Sequence, residues 1–169
     1  MDTDLLEQTA NYLVSPGRGI LAADESNGTM SKRLEGVGVA SSPESRNAYR
    51  ANLFAMPSMA EAISGVILYD ETIRQNAVDG TSIPDFLHSI DVLPGIKVDT
   101  GAKPLAGHQN ETITEGLDGL RERCSEYFKM GARFAKWRAV IRIGDSLPSD
   151  ACISTNAHAL ARYAAICQE

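Results

Sequence analysis

The stretch Gly65-Val-Ile-Leu-Tyr-Asp70 is a short β-type run that begins at a glycine and ends at an aspartate. Two further runs share this form, Gly19–Asp24 and Gly95–Asp99. A fourth run is longer and carries cations; it covers Ala132–Arg138, and an extension to Ile143 is left open. Short apolar runs bounded by turn residues are typical of buried strands in parallel sheets. We therefore predict four strands that lie side by side in sequence order.

Helical patterns lie between these runs. Ser42 can cap a helix that reaches about Phe54, with Pro43 in its first position. Apolar residues recur at helical spacing over residues 117–128 and again over residues 153–164. Strands that alternate with helices in this way indicate βαβ units and a parallel sheet.

Two architectures use βαβ units, the open doubly wound sheet and the closed barrel. Nucleotide cradling is unsupported, because no G-x-G-x-x-G follows the first strand and no G-x-x-x-x-G-K-[ST] occurs. The predicted fold class is therefore α/β, of the (β/α)₈ TIM barrel family. Such a barrel takes about 250 residues. The 169 residues are predicted to cover about its first four βα units, so that residues 1–169 form the N-terminal half of a single barrel domain.

Composition limits the classes of partner. The formal net charge of -6 gives no overall attraction to nucleic acid or to an anionic membrane, so phosphate chemistry would need a local cluster of cations. Three cysteines without a CxxC pair predict reduced thiols rather than a disulfide framework or a zinc ribbon. Neither a signal peptide nor a bilayer-spanning run is recognisable, so the expected location is the cytoplasm.

Ionisable side chains stand late in three of the four predicted strands. They are Asp24, Lys97, Asp99, Lys136 and Arg138. Strand periodicity places Lys136 and Arg138 on one face of their strand, and barrel enzymes build their sites at the C-terminal ends of strands. We predict a polar pocket there for an anionic, polyhydroxylated ligand. The alternative is a set of structural ion pairs within the barrel.

The loop after the first strand, Asp24-Glu-Ser-Asn-Gly-Thr29, offers hydroxyls and amides ahead of a short helix with Lys32 and Arg33. Such a loop can bind an anion, but simple capping and turn chemistry explains it equally well. Asp70 and Glu71, after the second strand, are more readily explained as structural residues.

Seven segments occur in an order that resembles class I fructose-bisphosphate aldolase. They are Ser15–Ser26, Gly65–Tyr69, Pro94–Asp99, Pro104–Gly107, Gly116–Leu120, Phe134–Arg138 and Leu160–Ala164. The resemblance implies a lyase of glycolysis and gluconeogenesis that reversibly cleaves fructose 1,6-bisphosphate to glycerone phosphate and glyceraldehyde 3-phosphate through a lysine Schiff base. It further implies a sugar-phosphate substrate, no cofactor or metal, and a homo-oligomeric parent protein.

The resemblance also implies roles for individual residues. Asp24 matches the aspartate that handles the C4 hydroxyl of the substrate, and Lys136 matches the lysine that stabilises the C4 oxyanion. The other matched positions are implied to bind substrate: Ser26, Thr29, Lys97 and Arg138 around the 6-phosphate, Arg33 at the 1-phosphate, and Arg46 more generally. Thr29 replaces a common serine, and Thr100 stands where many members have lysine.

Two parts of the family pattern are absent from the sequence. These are the Val-Glu-Pro-Glu segment with the acid-base glutamate and the lysine that forms the imine. The isolated chain is therefore expected to be inactive, since the family mechanism needs the imine as electron sink. Two alternatives stay open: a non-catalytic half-barrel that binds a partner through its open sheet edges, and an enzyme that forms its imine on Lys136.

Overall fold

The structure is a computed structural model that describes residues 2–169. In these residues the chain forms eight helices and six strands. Their order is α1 (Thr3–Leu13), β1 (Gly19–Ala22), α2 (Asn27–Gly36), α3 (Pro43–Phe54), α4 (Met59–Ala62), β2 (Ile63–Leu68), α5 (Asp70–Ile73), α6 (Ile83–Ser89), β3 (Leu93–Lys97), β4 (Gly101–Pro104), β5 (Thr112–Glu115), α7 (Leu120–Lys129), β6 (Phe134–Lys136) and α8 (Asp150–Gln168).

The four predicted strands form one sheet in the order β1-β2-β3-β6. β1 pairs with β2 in parallel, and β2 pairs with β3 in parallel. The predicted sequence order of the strands is confirmed. It places the C-terminal ends of β1, β2 and β3 at the same edge of the sheet, which is where a parallel α/β protein carries its functional side chains.

The strand pattern differs from the prediction at two places. β6 ends at Lys136, so the prediction of a strand through Arg138, or on to Ile143, is wrong. The backbone N–H of Arg138 instead donates to Oδ2 of Asp99 at 3.3 Å, and its carbonyl accepts from Thr114 Oγ1 at 2.6 Å. Side chains thus hold the backbone of Arg138 after the strand ends. The antiparallel hairpin of β4 and β5 was not predicted.

The predicted start of α3 is confirmed by its capping contacts. Ser42 Oγ accepts from Ser45 N at 3.2 Å, and Ser45 Oγ accepts from Ser42 N at 2.8 Å, which is a reciprocal capping box ahead of Pro43. α8 begins two residues after Pro148, because Ser149 caps it by accepting from Cys152 N at 3.2 Å. The first turns of α3 and α8 are therefore both fixed by serine side chains.

The chain divides into two compact units. The first unit comprises residues 2–97 with 127–135, and the second comprises residues 98–126 with 136–169. In the first unit the ring of Phe134 lies directly against the backbone of Gly65 and Gly95, on strands β2 and β3. Glycine is required at Gly95 because the ring occupies the space that any Cβ would need, and a Cβ at Gly65 would meet both Cδ2 of Leu13 at 2.6 Å and Cε1 of Phe134 at 2.9 Å.

We expect Gly95→Ala to destabilise the first unit by about 1–3 kcal/mol, the usual cost of overpacking a core. A Cβ at this position would stand 2.6 Å from Cε1 of Phe134, and two other ring atoms would be closer still. Gly19→Ala is the matched control, because a Cβ on that β1 glycine meets nothing within 4 Å. Urea unfolding should separate the two variants, and equal midpoints would contradict this account of the core.

Candidate functional site

The loop after β1 forms one part of the candidate site in the first unit. The Ala23 N–H donates to the Ile67 carbonyl at 3.0 Å, so pairing with β2 continues to the residue before Asp24. Ser26 then caps α2, and its Oγ lies 3.1 Å from Oγ1 of Thr29. The structure therefore brings the two predicted phosphate-binding hydroxyls together at the start of a ten-residue helix. The amides of a helix start and its dipole favour an anion there.

Glu25 links this loop to two arginines. Arg33 donates to its carboxylate, and the Arg33 side chain is 58% exposed. Arg50 is completely buried, and its Nη2 donates to the Glu25 carbonyl at 2.6 Å and lies 3.6 Å from Glu25 Oε2. Burial lowers the pKa of Arg50, while the charge of Glu25 opposes that shift. Arg50 was not predicted as a site residue, yet it fixes the backbone next to Asp24.

Arg46 and Glu71 form a two-point ion pair behind the same loop. Nε of Arg46 donates to Oε2 of Glu71 at 2.8 Å, and Nη2 donates to Oε1 at 2.6 Å. Hydrogen bonding from Arg46 lowers the pKa of Glu71, and the same bond raises the pKa of Arg46. Asn27 Nδ2 also donates to Glu71 Oε1 at 3.3 Å. Glu71 thus connects α3 to the loop, as the structural interpretation of this residue predicted.

Lys97 is the last residue of β3 and is half-buried. It shares the C-terminal edge of the sheet with the end of β1, because the parallel register of β1, β2 and β3 aligns these ends. Asp24 follows β1 at that edge and is also half-buried. Within the first unit, the fold therefore gathers Asp24, Lys97 and the Ser26–Thr29 turn at one edge of the sheet.

The second unit carries the other predicted site residues. Lys136 is half-buried, and its carbonyl accepts from Val98 N at 3.1 Å, which fixes its backbone at the end of β6. Asp99 is buried and accepts backbone N–H bonds from Gly101 at 3.1 Å and Arg138 at 3.3 Å. Asp99 therefore braces the segment of Arg138 against the hairpin, and the Arg138 side chain is exposed beyond it.

Comparison with known proteins places these features in a family. Residues 5–169 match the family model described as fructose-bisphosphate aldolase class-I. The chain therefore belongs to the class I fructose-bisphosphate aldolase family, and its fold is a part of the TIM barrel of that family. Family membership confirms the predicted resemblance and the predicted fold class.

Individual relatives agree with this assignment. The chain is 55% identical over 169 residues to a protein of Xanthomonas campestris named probable fructose-bisphosphate aldolase class 1, covering 100% of the chain and 51% of that protein. It is 54% identical over 166 residues to cytosolic fructose-bisphosphate aldolase 6 of Arabidopsis thaliana, covering 98% and 46%. The chain spans about half the length of the curated relatives it matches.

A solved structure shows the same backbone. It is that of fructose-bisphosphate aldolase from Plasmodium falciparum in complex with TRAP and a small-molecule inhibitor. The TM-score is 0.94 at 46% sequence identity, and the match covers 98% of this chain and 48% of the other. Among residues 2–169, no helix is both long and apolar enough to cross a bilayer.

Proposed function

We propose that the protein containing this chain reversibly cleaves fructose 1,6-bisphosphate to glycerone phosphate and glyceraldehyde 3-phosphate through a lysine Schiff base. The observation that carries the proposal is the family match over residues 5–169. The chain supplies the substrate-binding part of the site and two groups that act on C4. The imine-forming lysine and the acid-base glutamate belong to the part of the fold that these residues do not include.

The bond-breaking step needs a base and a cation at C4 of the substrate. Asp24 takes the proton of the C4 hydroxyl while the C3–C4 bond breaks. The electron pair of that bond passes into the protonated imine, which becomes an enamine, and C4 becomes the aldehyde carbon. The ammonium of Lys136 stabilises the negative charge that develops on the C4 oxygen. Its position as the last residue of β6 supports this role, because enzymes of this fold build their sites from side chains at the C-terminal ends of strands.

The phosphate groups are bound by hydroxyls, helix amides and cations. We assign Ser26, Thr29, Lys97 and Arg138 to the 6-phosphate. Arg33 binds the 1-phosphate, and its 58% exposed side chain can exchange Glu25 for the ligand. We assign Arg46 an indirect part in substrate binding, through Glu71 and Asn27. Its side chain is 9% exposed, and its guanidinium already donates to both carboxylate oxygens of Glu71.

The cellular setting is a further part of the proposal. We propose a cytoplasmic location, which the names of the cytosolic Arabidopsis and cytoplasmic pea relatives support. We also propose that the protein binds neither nucleic acid nor membrane, in keeping with the formal net charge of -6. The homo-oligomeric state is proposed from the family resemblance alone.

The proposal is tested by assaying the full-length protein for release of glyceraldehyde 3-phosphate from fructose 1,6-bisphosphate. We expect turnover that survives EDTA, because an imine rather than a metal ion supplies the electron sink. Fructose 1-phosphate is the matched comparison and should show a higher KM if the 6-phosphate is bound as assigned. A pure protein that binds a partner chain but cleaves neither sugar would favour the assembly module instead.

A further inference from the structure

Two of the three cysteines face each other in the second unit. Cys124 lies on α7 and Cys167 lies in the last turn of α8, and their sulfur atoms are 3.8 Å apart although 43 residues separate them in sequence. All three cysteines are free thiols. A disulfide has a sulfur–sulfur distance of about 2.05 Å, so the two sulfur atoms must move closer together for a bond to form.

The hydrogen bond between the two sulfurs and the charge of Arg123 make Cys124 the more acidic thiol of the pair. The hydrogen bond from Cys167 lowers the pKa of Cys124 to about 7, and the charge of Arg123 acts in the same direction against burial. The same bond and burial raise the pKa of Cys167. Arg123 is held in place by donating to the Val98 carbonyl at 3.0 Å and to the Gly116 carbonyl at 2.5 Å. Of the two sulfurs, Cys124 is therefore the one that is partly a thiolate at neutral pH, and the thiolate is the nucleophilic form of cysteine.

Cys152 provides an internal comparison. It is 1% exposed, its thiol donates to the Thr112 carbonyl at 3.9 Å, and no other cysteine faces it among the described residues. Burial raises its pKa. Cys152 therefore has neither the thiolate character nor the neighbouring sulfur that a reactive pair needs.

We propose that Cys124 and Cys167 form a modification site at which a hydroperoxide is reduced and a reversible disulfide links α7 to the last turn of α8. In the first step the Cys124 thiolate attacks one peroxide oxygen, the O–O bond breaks, and the leaving alkoxide or hydroxide takes up a proton. Cys124 is then a sulfenic acid. In the second step the Cys167 sulfur attacks that sulfur, and the hydroxyl group leaves with the Cys167 proton as water.

The two steps balance. Two thiols and one hydroperoxide give one disulfide, one alcohol and one water, so the thiols lose two electrons and the O–O bond gains them. When the oxidant is hydrogen peroxide, both oxygen products are water. A thiol reductant reverses the modification by exchange through a mixed disulfide.

The test uses the full-length protein, reduced and then treated with hydrogen peroxide, blocked with iodoacetamide and digested without reductant. We expect one cross-linked peptide pair that contains Cys124 and Cys167, lighter than the separate peptides by two hydrogens and lost after dithiothreitol. Cys152 in the same sample should carry the iodoacetamide label or remain a free thiol. A mixture of ¹⁵N-labelled and unlabelled protein should yield no mixed cross-link, because the bond forms within one chain.

Two further measurements keep the proposal falsifiable. Phenylarsine oxide bridges two neighbouring thiols without any oxidation, so one equivalent should bind per chain, and Cys124→Ser or Cys167→Ser should abolish that binding, whereas Cys152→Ala should preserve it. The proposal is overturned if excess peroxide gives no Cys124–Cys167 peptide, if the cross-link joins separate chains, or if Cys152 is oxidised as readily as Cys124.

Discussion

Replacing Lys136 by methionine in the full-length protein should lower kcat for cleavage of fructose 1,6-bisphosphate about 10²–10³-fold, the usual cost of removing one group that stabilises an oxyanion. Methionine keeps much of the length of the side chain and removes its charge. Lys136 is half-buried at the end of β6, with its backbone fixed by the Val98 N–H at 3.1 Å. Negative charge on the C4 oxygen develops only as the bond breaks, so the cation should act on the transition state more than on the bound substrate, and KM should change much less than kcat.

Two control variants make the result specific. Lys129→Met removes a cation from an exposed position on α7 and should leave kcat unchanged. Lys97→Met should raise KM more than it lowers kcat, because we assign Lys97 to a phosphate that does not react. Steady-state assays at saturating and at low substrate separate these effects. A Lys136→Met variant with a kcat within a factor of about three of the parent would contradict the assignment.

Glu71→Ala is expected to destabilise the first unit by about 3 kcal/mol, the lower end of the cost of breaking a buried ion pair by removing one partner, because Arg46 is buried while the Glu71 side chain is 19% exposed. Glu71 accepts two bonds from Arg46, and its charge also acts on Arg50, which is completely buried. Without this carboxylate, Arg46 would lose both of its carboxylate acceptors, and Arg50 would keep the opposing charge of Glu25 but lose that of Glu71. The Ser26–Thr29 turn should loosen as well, because Asn27 loses its acceptor.

Glu169→Ala is the matched control for this stability measurement. It also removes a carboxylate that accepts from an arginine, but the Arg121–Glu169 pair is exposed, with side-chain exposures of 58% and 61%. Exposed ion pairs contribute about 0–1 kcal/mol. Urea unfolding of both variants should therefore give a large loss for Glu71→Ala and a small one for Glu169→Ala. Similar losses would show that the buried pair carries no special stability.

Much of the fold could be predicted because local signals and the global fold agree. The glycines that begin the runs at Gly65 and Gly95 are explained by packing, since the Phe134 ring, joined at Gly65 by Leu13, occupies the space that a side chain would need. Ser42 and Pro43 predict a helix start, because a hydroxyl can cap the first turn and proline is favoured at its first position. The strand order then follows from the right-handed crossovers of βαβ units, which place sequential strands side by side.

The rest depended on contacts that no local pattern displays. Arg138 was predicted on a strand by parity, but the carboxylate of Asp99 binds its N–H in place of a neighbouring strand. The hairpin of β4 and β5 lacks apolar alternation, and Gly101 begins it with a φ of 104°. Arg50 was not predicted as a site residue, because an arginine in a helix normally faces solvent. Its spacing from Arg46 and Phe54, four residues on each side along one helical face, was the available signal.

Reductive trapping tests the central claim most directly, because sodium borohydride captures an imine on whichever lysine forms it. Full-length protein and the 169-residue chain are each incubated with fructose 1,6-bisphosphate and borohydride, and the adduct is mapped by mass spectrometry. We expect the full-length protein to gain one sugar-phosphate mass on a lysine outside these residues, and the 169-residue chain to gain none. An adduct on Lys136 in either sample would contradict the account, because Lys136 would then be the nucleophile and not the oxyanion-stabilising cation.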